Sequence, residues 1–256
     1  MSQMSSIELI PITGLPMVAP GHDLASLLAD GIVAAGVDPV DGDVLVVCQK
    51  VVSKAEGRVV RLASVEPREE ARAFAVEFDK DAAVIELAMA EASEILRRER
   101  GHLITVTGPG WICANSGLDR SNQNAEGEAT LLPVDADTSA ARLYERLRTR
   151  FGVRVGVIIS DTFGRPWRLG QLDVAIGAAG VVVLDDHTAR EDLVGRPLEH
   201  TQIAVADQLA AAAGLLAGKA AGVPAVLIRG AEAIGPDADG ATAAMLTRPP
   251  TDDLFR

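Results

Sequence analysis

The apolar run Val153–Ile159, VRVGVII, is the feature that most constrains the fold. Its β-branched residues are typical of a strand that is buried on both faces. The run ends at Ser160–Thr162, and Gly164 and Arg165 follow shortly afterwards. A carboxylate and a hydroxyl at the end of a buried strand are held on a rigid element, and a nearby arginine suits an anionic ligand. We therefore expect chemistry at this strand end, although Asp161 also fits the role of a turn or cap residue.

A second buried strand is predicted at Val44–Val52, VLVVCQKVV. It is followed by the polar segment 53–57 and by a predicted return strand at Arg58–Leu62. This hairpin would place Lys54 at its lip, where an ammonium group can reach a phosphate. The commoner role of a single lysine is to sit on a solvated turn, and that alternative stays open here.

The other predicted elements alternate between helix and strand without the regular rhythm of a parallel α/β fold. Predicted helices, with Asp23 as a cap and Pro67 in a first turn, cover Leu24–Ala35, Pro67–Phe78, Asp81–Arg97, Ser139–Arg150 and Ile203–Ala217. The cap of the fourth helix is expected near Asp137 or Thr138. Further strands are predicted at Ile7–Ile12, His102–Thr107, Trp111–Ala114, Val181–Leu184 and Val223–Arg229, with a glycine and alanine bend at Gly177–Gly180.

Composition limits both the core and the partners. The chain has 256 residues, enough for one large domain or two modest ones. Hydrophobic residues make up 48% of it but aromatic residues only 3%, so the core must be aliphatic. The net charge is −12, which disfavours binding to nucleic acid or to anionic membranes because no basic patch offsets it. A small anionic substrate would need local arginines, lysines or metal ions.

The cysteines and the apolar segments predict a cytoplasmic protein. Cys48 and Cys113 lie far apart in apolar runs, as expected of free buried thiols in a reducing compartment. The N-terminal segment lacks the basic region of a signal peptide. The longest apolar tract, Ile203–Gly218, contains Asp207 and is too short to span a bilayer.

Two further segments carry candidate ligands. The loop Asn115–Asn122 is rich in Asn, Ser, Gly and Asp, which is usually turn chemistry but also suits a hard divalent cation through Asp119. The segment GLLAGKA is not a Walker phosphate loop, because its spacing is one residue short and it lacks the Ser or Thr that ligates magnesium. Lys219 within it is either a phosphate contact or part of a helix C-cap with Gly218.

Together, these polar strand ends and loops hold the groups needed for metal-assisted phosphoryl transfer from a nucleotide. They supply two carboxylates, a hydroxyl, an amide and two cationic groups, namely Asp119, Asp161, Thr162, Asn122, Lys54 and Arg165. No single motif shows that these residues lie close together in the folded chain.

Several segments in a fixed order extend this interpretation. They are Ile10–Pro16, Asp41–Val47, Val51–Arg58, Ser116–Asn122, Ser160–Arg165, Ala178–Gly180 and Val226–Gly230. In this arrangement the chain resembles the coenzyme F420:L-glutamate ligase family, over about residues 7–255.

The resemblance implies a GTP-dependent ligase of coenzyme F420 biosynthesis. Such an enzyme adds L-glutamate to the lactyl carboxylate of the deazaflavin precursor F420-0 through an acyl phosphate, and then adds further γ-linked glutamates. The implied fold is α+β, with mixed sheets and packed helices in an intertwined homodimer. Residues 1–256 would form a single ligase domain of one or two subdomains, without the C-terminal nitroreductase-like domain of some relatives and without flavin. Its partners would be small molecules, not nucleic acid or membranes.

The resemblance also implies roles for individual residues. Asp119, Asp161 and Arg165 would be catalytic, and Asp119, Asp161 and Thr162 would hold two Mg²⁺ or Mn²⁺ ions, with K⁺ as a further candidate ion. The GTP site would be lined by Leu15, Pro16, Met17, Val18, Gln49, Lys50, Lys54, Asn122, Ala217, Gly218 and Lys219.

Two residues depart from the expected pattern. Gln49 stands where a small hydroxyl residue is expected at the nucleotide. Lys219 stands where many relatives carry Glu or Gln near the second metal. The lysine would either alter the coordination of that metal or contact phosphate instead.

Two other functions remain open on the sequence. The same residues would serve another metal-dependent, nucleotide-using kinase or amide ligase that acts on a phosphorylated carboxylate. A nucleotide-binding or assembly protein without turnover is the third hypothesis, and it predicts that the substitution Asp161→Asn leaves any activity unchanged.

Overall fold

The computed structural model describes residues 6–188, 190–235 and 238–254. Phe255, where the family resemblance ends, lies outside them. The helices in these residues are α1 (Leu24–Ala34), α2 (Gln49–Ala55), α3 (Glu69–Phe78), α4 (Ala82–Ala90), α5 (Ala136–Phe151) and α6 (Val205–Ala217). The strands are β1 (Glu8–Ile12), β2 (Val44–Cys48), β3 (Val59–Arg61), β4 (Ala92–Glu99), β5 (His102–Thr107), β6 (Ile112–Ala114), β7 (Glu128–Thr130), β8 (Gly156–Arg165), β9 (Arg168–Ala179), β10 (Leu184–Asp186), β11 (Gln202–Ala204) and β12 (Ala225–Arg229).

A five-stranded mixed sheet forms the centre, in the order β1-β12-β2-β8-β9. The β2–β8 pair is parallel, whereas the other three pairs in this sheet are antiparallel. Smaller sheets are formed by β3 with β7, by β10 with β11, and by β4, β5 and β6. The α+β class with mixed sheets is confirmed, while the homodimer and the single-domain organisation stay predictions.

The main core surrounds the central sheet and is aliphatic, as the composition predicts. The residues of β2 and the first half of β8 are almost fully buried, because side chains on both faces of these inner strands meet packed layers. Helices α1 and α5 pack against each other, α5 packs on β8 and β9, and α6 packs on β9 and β12.

Aspartate side chains cap the N-terminal ends of two of these helices, α1 and α5. Asp23 caps α1 as predicted, since its side chain accepts a hydrogen bond from the Ser26 backbone N–H. Helix α5 begins earlier than predicted and is capped by Asp135 instead of Asp137 or Thr138. Asp137 instead accepts hydrogen bonds from the backbone N–H groups of Ala178 and Ala243, and so ties α5 to the end of β9.

A second core lies beneath α3, α4 and β5. Phe74, Ile85 and Leu103 are buried in it, and it is separate from the core of the central sheet. The part of the chain that forms this core also leads, through β6, into the Asn115–Asn122 loop. The candidate ligands of that loop therefore come from outside the central sheet.

Two of the predicted elements are wrong in part. The strand predicted at Val44–Val52 ends at Cys48, and Gln49–Ala55 is helix α2. The helix predicted at Asp81–Arg97 ends at Ala90, and Ala92–Glu99 forms strand β4, paired with β5. In both cases tertiary packing or strand pairing overrides the local propensity.

Strand pairing also differs from expectation in two places. Residues Val59–Arg61 pair with β7, so they are not the return strand of a hairpin with β2. The predicted bend at Gly177–Gly180 is largely strand, because β9 continues to Ala179 against β8. The strand predicted at Val153–Ile159 begins only at Gly156 and continues to Arg165 as β8. Of the strand predicted at Val181–Leu184, only Leu184 lies in a strand, β10.

Within the described residues, no helix is long and apolar enough to cross a bilayer.

Candidate active site

The parallel β2–β8 pair explains why distant polar residues meet. Carboxyl ends of parallel strands point to the same edge of a sheet, and here Cys48 is the register partner of Ser160. The chain after β2 therefore enters α2 beside the residues Asp161 and Thr162 of β8. The Cys48 backbone N–H also donates to the Pro224 carbonyl, which brings the start of β12 to the same edge.

A cavity of about 770 Å³ lies at this edge. All the predicted site residues except Arg165 line it. They are Leu15, Pro16, Met17, Val18, Gln49, Lys50, Lys54, Asp119, Asn122, Asp161, Thr162, Ala217, Gly218 and Lys219. The predicted convergence of these residues is thus present in the structure. Their individual chemical roles stay predictions.

Asp119 is held at the cavity by Lys50. The two side chains form an ion pair of 2.7 Å, and the Ser121 backbone N–H donates to the other carboxylate oxygen of Asp119 at 2.6 Å. Lys50 also donates to the backbone carbonyl and the hydroxyl of Ser121. Burial disfavours the charged form of Asp119, but the hydrogen bonds from Lys50 and Ser121 outweigh it and lower the pKa of the carboxyl. Asp119 is therefore ionised at neutral pH.

Lys54 attaches the same loop to helix α2. Its side chain is buried, with the residue 4% exposed, and Nζ donates to the Asn122 carbonyl at 2.6 Å and to Asn124 Oδ1 at 2.8 Å. Burial lowers the pKa of this lysine, and the charge of Lys50 lowers it further. The predicted position at a hairpin lip is wrong, because Lys54 lies in a helix, yet it does line the cavity.

The Lys54 contacts predict a local effect on this loop. The substitution Lys54→Met removes two hydrogen bonds from a charged donor, each worth about 1.5–3 kcal/mol. We expect amide hydrogen exchange in the loop around Asn122 to become at least about tenfold faster, while exchange in β2 and β8 is unchanged. Lys80→Met, at an exposed lysine, is the matched control. Equal loop exchange in the two variants would contradict the attachment.

Asp161 is the carboxylate most affected by the protein interior. Burial raises its pKa to about 6, and the negative charges of Asp119 and Asp173 add to this, while a Thr162 backbone hydrogen bond and the Lys219 charge act in the opposite direction. A carboxylate whose pKa is raised by burial and by two neighbouring negative charges is a site where a cation would be stabilised.

Thr162 links Lys219 to a third carboxylate, that of Asp173. The Thr162 hydroxyl donates to Asp173 Oδ1 at 2.6 Å and accepts from Lys219 Nζ at 2.8 Å. Asp173 lies directly opposite Thr162 in the β8–β9 pairing. Lys219, Thr162 and Asp173 therefore form a hydrogen-bonded chain from an ammonium to a carboxylate at the cavity.

Arg165 lies apart from this group. It ends β8, pairs with Arg168 across the hairpin, and does not line the cavity. Its Nη1 atom is buried and has no hydrogen-bond partner among the described residues. Its predicted catalytic role therefore has no geometric support within one chain.

Asp173 and Cys48 are among the cavity residues that sequence reasoning did not assign to the site. Asp173 could have been found from the alternation of Leu172, Val174 and Ile176, which is typical of a strand that returns along β8. Cys48 was predicted to be a buried thiol and it lies at the cavity, where burial and the charges of Asp173 and Asp161 raise its pKa to about 11. It is thus a protonated thiol at neutral pH and not a nucleophile.

The charges of the cavity suit a polyanion together with a cation. Lys50, Lys54 and Lys219 supply positive charge in an otherwise acidic protein, and Asp119 and Asp161 supply oxygen ligands. Among the described residues, no three His, Cys, Asp or Glu side chains form a ready-made metal cluster. Mg²⁺ does not need one, since it is commonly bound by one or two carboxylates, water and substrate phosphates.

Comparison with known proteins identifies one family whose sequence model spans most of the chain. The sequence model of the F420-0:Gamma-glutamyl ligase family matches residues 13–230. The chain belongs to this family. The matched range includes every residue that lines the cavity, from Leu15 to Pro224.

Relatives within the F420-0:Gamma-glutamyl ligase family match over nearly their whole length. The coenzyme F420:L-glutamate ligase of Methanothermobacter thermautotrophicus is 43% identical, over 98% of this chain and 99% of the relative. The protein of the same name from Methanopyrus kandleri is 42% identical over the full length of both chains. The one from Archaeoglobus fulgidus is 43% identical over 90% of each. The predicted family is therefore confirmed.

Proposed function

We propose that this chain is a GTP-dependent ligase that joins L-glutamate to coenzyme F420-0 and then adds γ-linked glutamates in coenzyme F420 biosynthesis. The observation that carries the proposal is the convergence of Asp119, Asp161, Thr162 and three lysines in one cavity of about 770 Å³. That volume is suitable for a nucleotide together with part of a second substrate. The names of the relatives add the substrate class.

The cavity fits a divalent cation at Asp119 and Asp161. Burial and neighbouring carboxylates oppose ionisation of Asp161, so a cation bound there would relieve an unfavourable concentration of negative charge. When bound, Mg²⁺ or Mn²⁺ would neutralise charge on the phosphates of GTP. The hydrogen bonds from Lys50 and Ser121 hold Asp119 ionised for this purpose.

The proposed reaction forms an amide at the expense of one phosphoanhydride bond. A carboxylate oxygen of F420-0 attacks the γ-phosphorus of GTP, GDP leaves, and an acyl phosphate results. The glutamate nitrogen then attacks the acyl carbon, inorganic phosphate leaves with the bonding electrons, and the nitrogen loses a proton. The protein would contribute mainly by positioning and by positive charge from Lys219 and the metal, because phosphoryl transfer requires little covalent chemistry from the enzyme.

A direct assay tests the proposal. Purified protein is incubated with F420-0, L-glutamate, GTP and Mg²⁺, and the deazaflavin product is measured by mass spectrometry. We expect a gain of one glutamyl residue, followed by further glutamyl additions, with one GDP and one phosphate formed per addition.

Omission of each component distinguishes this reaction from the other functions. Formation of GDP without a mass gain on F420-0 would indicate a different acceptor carboxylate. Nucleotide binding without GDP formation would contradict a ligase and favour a binding protein. Equal rates with ATP would contradict GTP dependence while leaving glutamate ligation intact.

A further inference from the structure

The exposed side chain of Lys219 places a positive charge beside the hydroxyl that a second metal ion would need. Its Nζ donates to Thr162 Oγ1 at 2.8 Å, and that hydroxyl donates its own proton to Asp173 Oδ1 at 2.6 Å. A threonine hydroxyl has one proton and two lone pairs, so its proton and one lone pair are already used. The Thr162 hydroxyl thus bridges Lys219 and Asp173 by two hydrogen bonds.

A divalent ion on Thr162 would compete directly with this ammonium. Mg²⁺ binds oxygen ligands at about 2.0–2.1 Å, which would place it in the same shell around Oγ1 as Lys219 Nζ. Both cations would also interact with the same carboxylate, since the Lys219 charge already acts on Asp161. Asp119 also has an ammonium neighbour, Lys50 at 2.7 Å, but an anionic carboxylate has about four lone-pair sites and can be shared between a lysine and a metal ion. The neutral Thr162 hydroxyl keeps one lone pair, beside the Lys219 charge. The residues therefore fit one divalent ion, at Asp119 and Asp161, better than a second ion at Thr162.

The backbone fixes the position of Lys219. Helix α6 ends at Ala217, and Gly218 has φ +52° and ψ 179°, a conformation essentially restricted to glycine. This turn leads the chain to the cavity, where the Lys219 carbonyl accepts a hydrogen bond from Asn122 Nδ2 at 2.9 Å. Lys219 therefore has one contact through its backbone, with Asn122, and one through its side chain, with Thr162.

We infer that Lys219 takes the place of one of two divalent cations, so that the nucleotide complex holds one divalent ion per chain. The ammonium group then supplies the second positive charge to the phosphates. The inference rests on the proposed function for the nucleotide and for the ion at Asp119 and Asp161. It concerns the number of ions and not the identity of the acceptor substrate.

The number of bound Mn²⁺ ions per bound nucleotide tests this inference. The full chain is saturated with Mn²⁺ and a slowly hydrolysed GTP analogue, separated from free ligand, and the bound Mn²⁺ and nucleotide are counted. We expect one ion per nucleotide for the wild-type chain and two for Lys219→Gln, because the amide removes the charge and offers an oxygen ligand. Lys80→Gln, which removes an exposed lysine elsewhere, should keep one.

Each other outcome overturns the inference. Two ions in the wild-type chain would show that the ammonium is displaced. A count of zero ions would contradict the site at Asp119 and Asp161 as well. One ion in Lys219→Gln would show that the lysine is not what excludes the second ion. The first ion and an unchanged melting temperature in this variant serve as evidence that it is folded.

The same experiment separates this inference from the proposed reaction. One ion in the wild-type chain and two in Lys219→Gln, together with no glutamyl transfer to F420-0, would support the single-ion site and contradict the proposed acceptor. Glutamyl transfer with two ions in the wild-type chain would do the reverse.

Discussion

Replacement of Asp161 with Asn is expected to reduce turnover by about 10³-fold or more while making the metal-free protein more stable. The loss follows from the proposed role of this carboxylate in holding the cation that neutralises phosphate charge, which is worth several kcal/mol of barrier stabilisation. The gain in stability of the variant follows from burial, which disfavours the charged form of Asp161 and raises its pKa to about 6. Opposite signs for activity and stability are typical of a strained active-site group.

The stability effect has a defined pH dependence. Folded protein retains the Asp161 proton up to about pH 6, whereas an unfolded Asp loses it near pH 4. Asp161 therefore contributes a decrease of about 2–3 kcal/mol to the free energy of unfolding as pH rises through this interval. The Asn variant lacks this decrease and should be the more stable protein at pH 7.

Urea unfolding at pH 4 and pH 7, in the presence of a chelator, measures this difference. Asp30→Asn, at an exposed carboxylate, is the matched control and should follow the wild-type chain. Retained turnover in Asp161→Asn would contradict the proposed catalytic role. A variant that is less stable than the wild-type chain at pH 7 would contradict the unfavourable burial of this charge.

The substitution Gly177→Ala is expected to lower the melting temperature by about 5–10 °C. A Cβ at Gly177 would lie 2.3 Å from the backbone carbonyl oxygen of Ala136 and 2.5 Å from its carbon, at the start of α5. Backbone cannot rotate away as a side chain can, so β9 and α5 must separate. Overpacking of this kind costs about 1–3 kcal/mol or more, and each kcal/mol shifts the melting temperature of a chain of this size by about 2–4 °C.

Gly164→Ala is the matched control for this close approach. Gly164 lies in β8, opposite β9, and a Cβ there would meet no heavy atom within 4 Å. Differential scanning calorimetry of both variants measures the effect. If the two variants melt at the same temperature, the contact between β9 and α5 is not as tight as the structure shows. Because β9 also carries Asp173, we expect Gly177→Ala to weaken the Thr162 contact as well.

The sequence predicted the centre of this site well because its signal is local. The β-branched run before Ser160 identifies a buried strand, and the polar residues directly after it must then lie at an edge of the sheet. The aliphatic core and the cap at Asp23 are local signals of the same kind. Asp119 and Asp161 were grouped by their chemistry, and the family resemblance added a shared metal site, but no local pattern shows that the two residues meet in space.

The incorrect predictions arise where long-range contacts decide the structure. Val51 and Val52 favour a strand, yet α2 forms because it packs beside β8. The residues Glu94, Leu96 and Arg97 favour a helix, yet β4 gains backbone hydrogen bonds from β5. Local propensities of less than about 1 kcal/mol per residue are readily overridden by such contacts.

Asp173 was missed for a related reason. Glycine and alanine near the end of β9 suggested a bend, and this hid the strand that carries the aspartate. The glycine at position 177 instead permits the close approach of α5. A small residue can thus mark tight packing of a strand as readily as a turn.

The position of β12 between β1 and β2 has a consequence for biosynthesis of the protein. During translation, the ribosome would have to release residues 225–229 before β1 and β2 could be joined in one sheet. Until then the nascent chain would carry Asp119 and Asp161 but not the assembled wall that Pro224 completes. Nucleotide capture should therefore be a post-translational event.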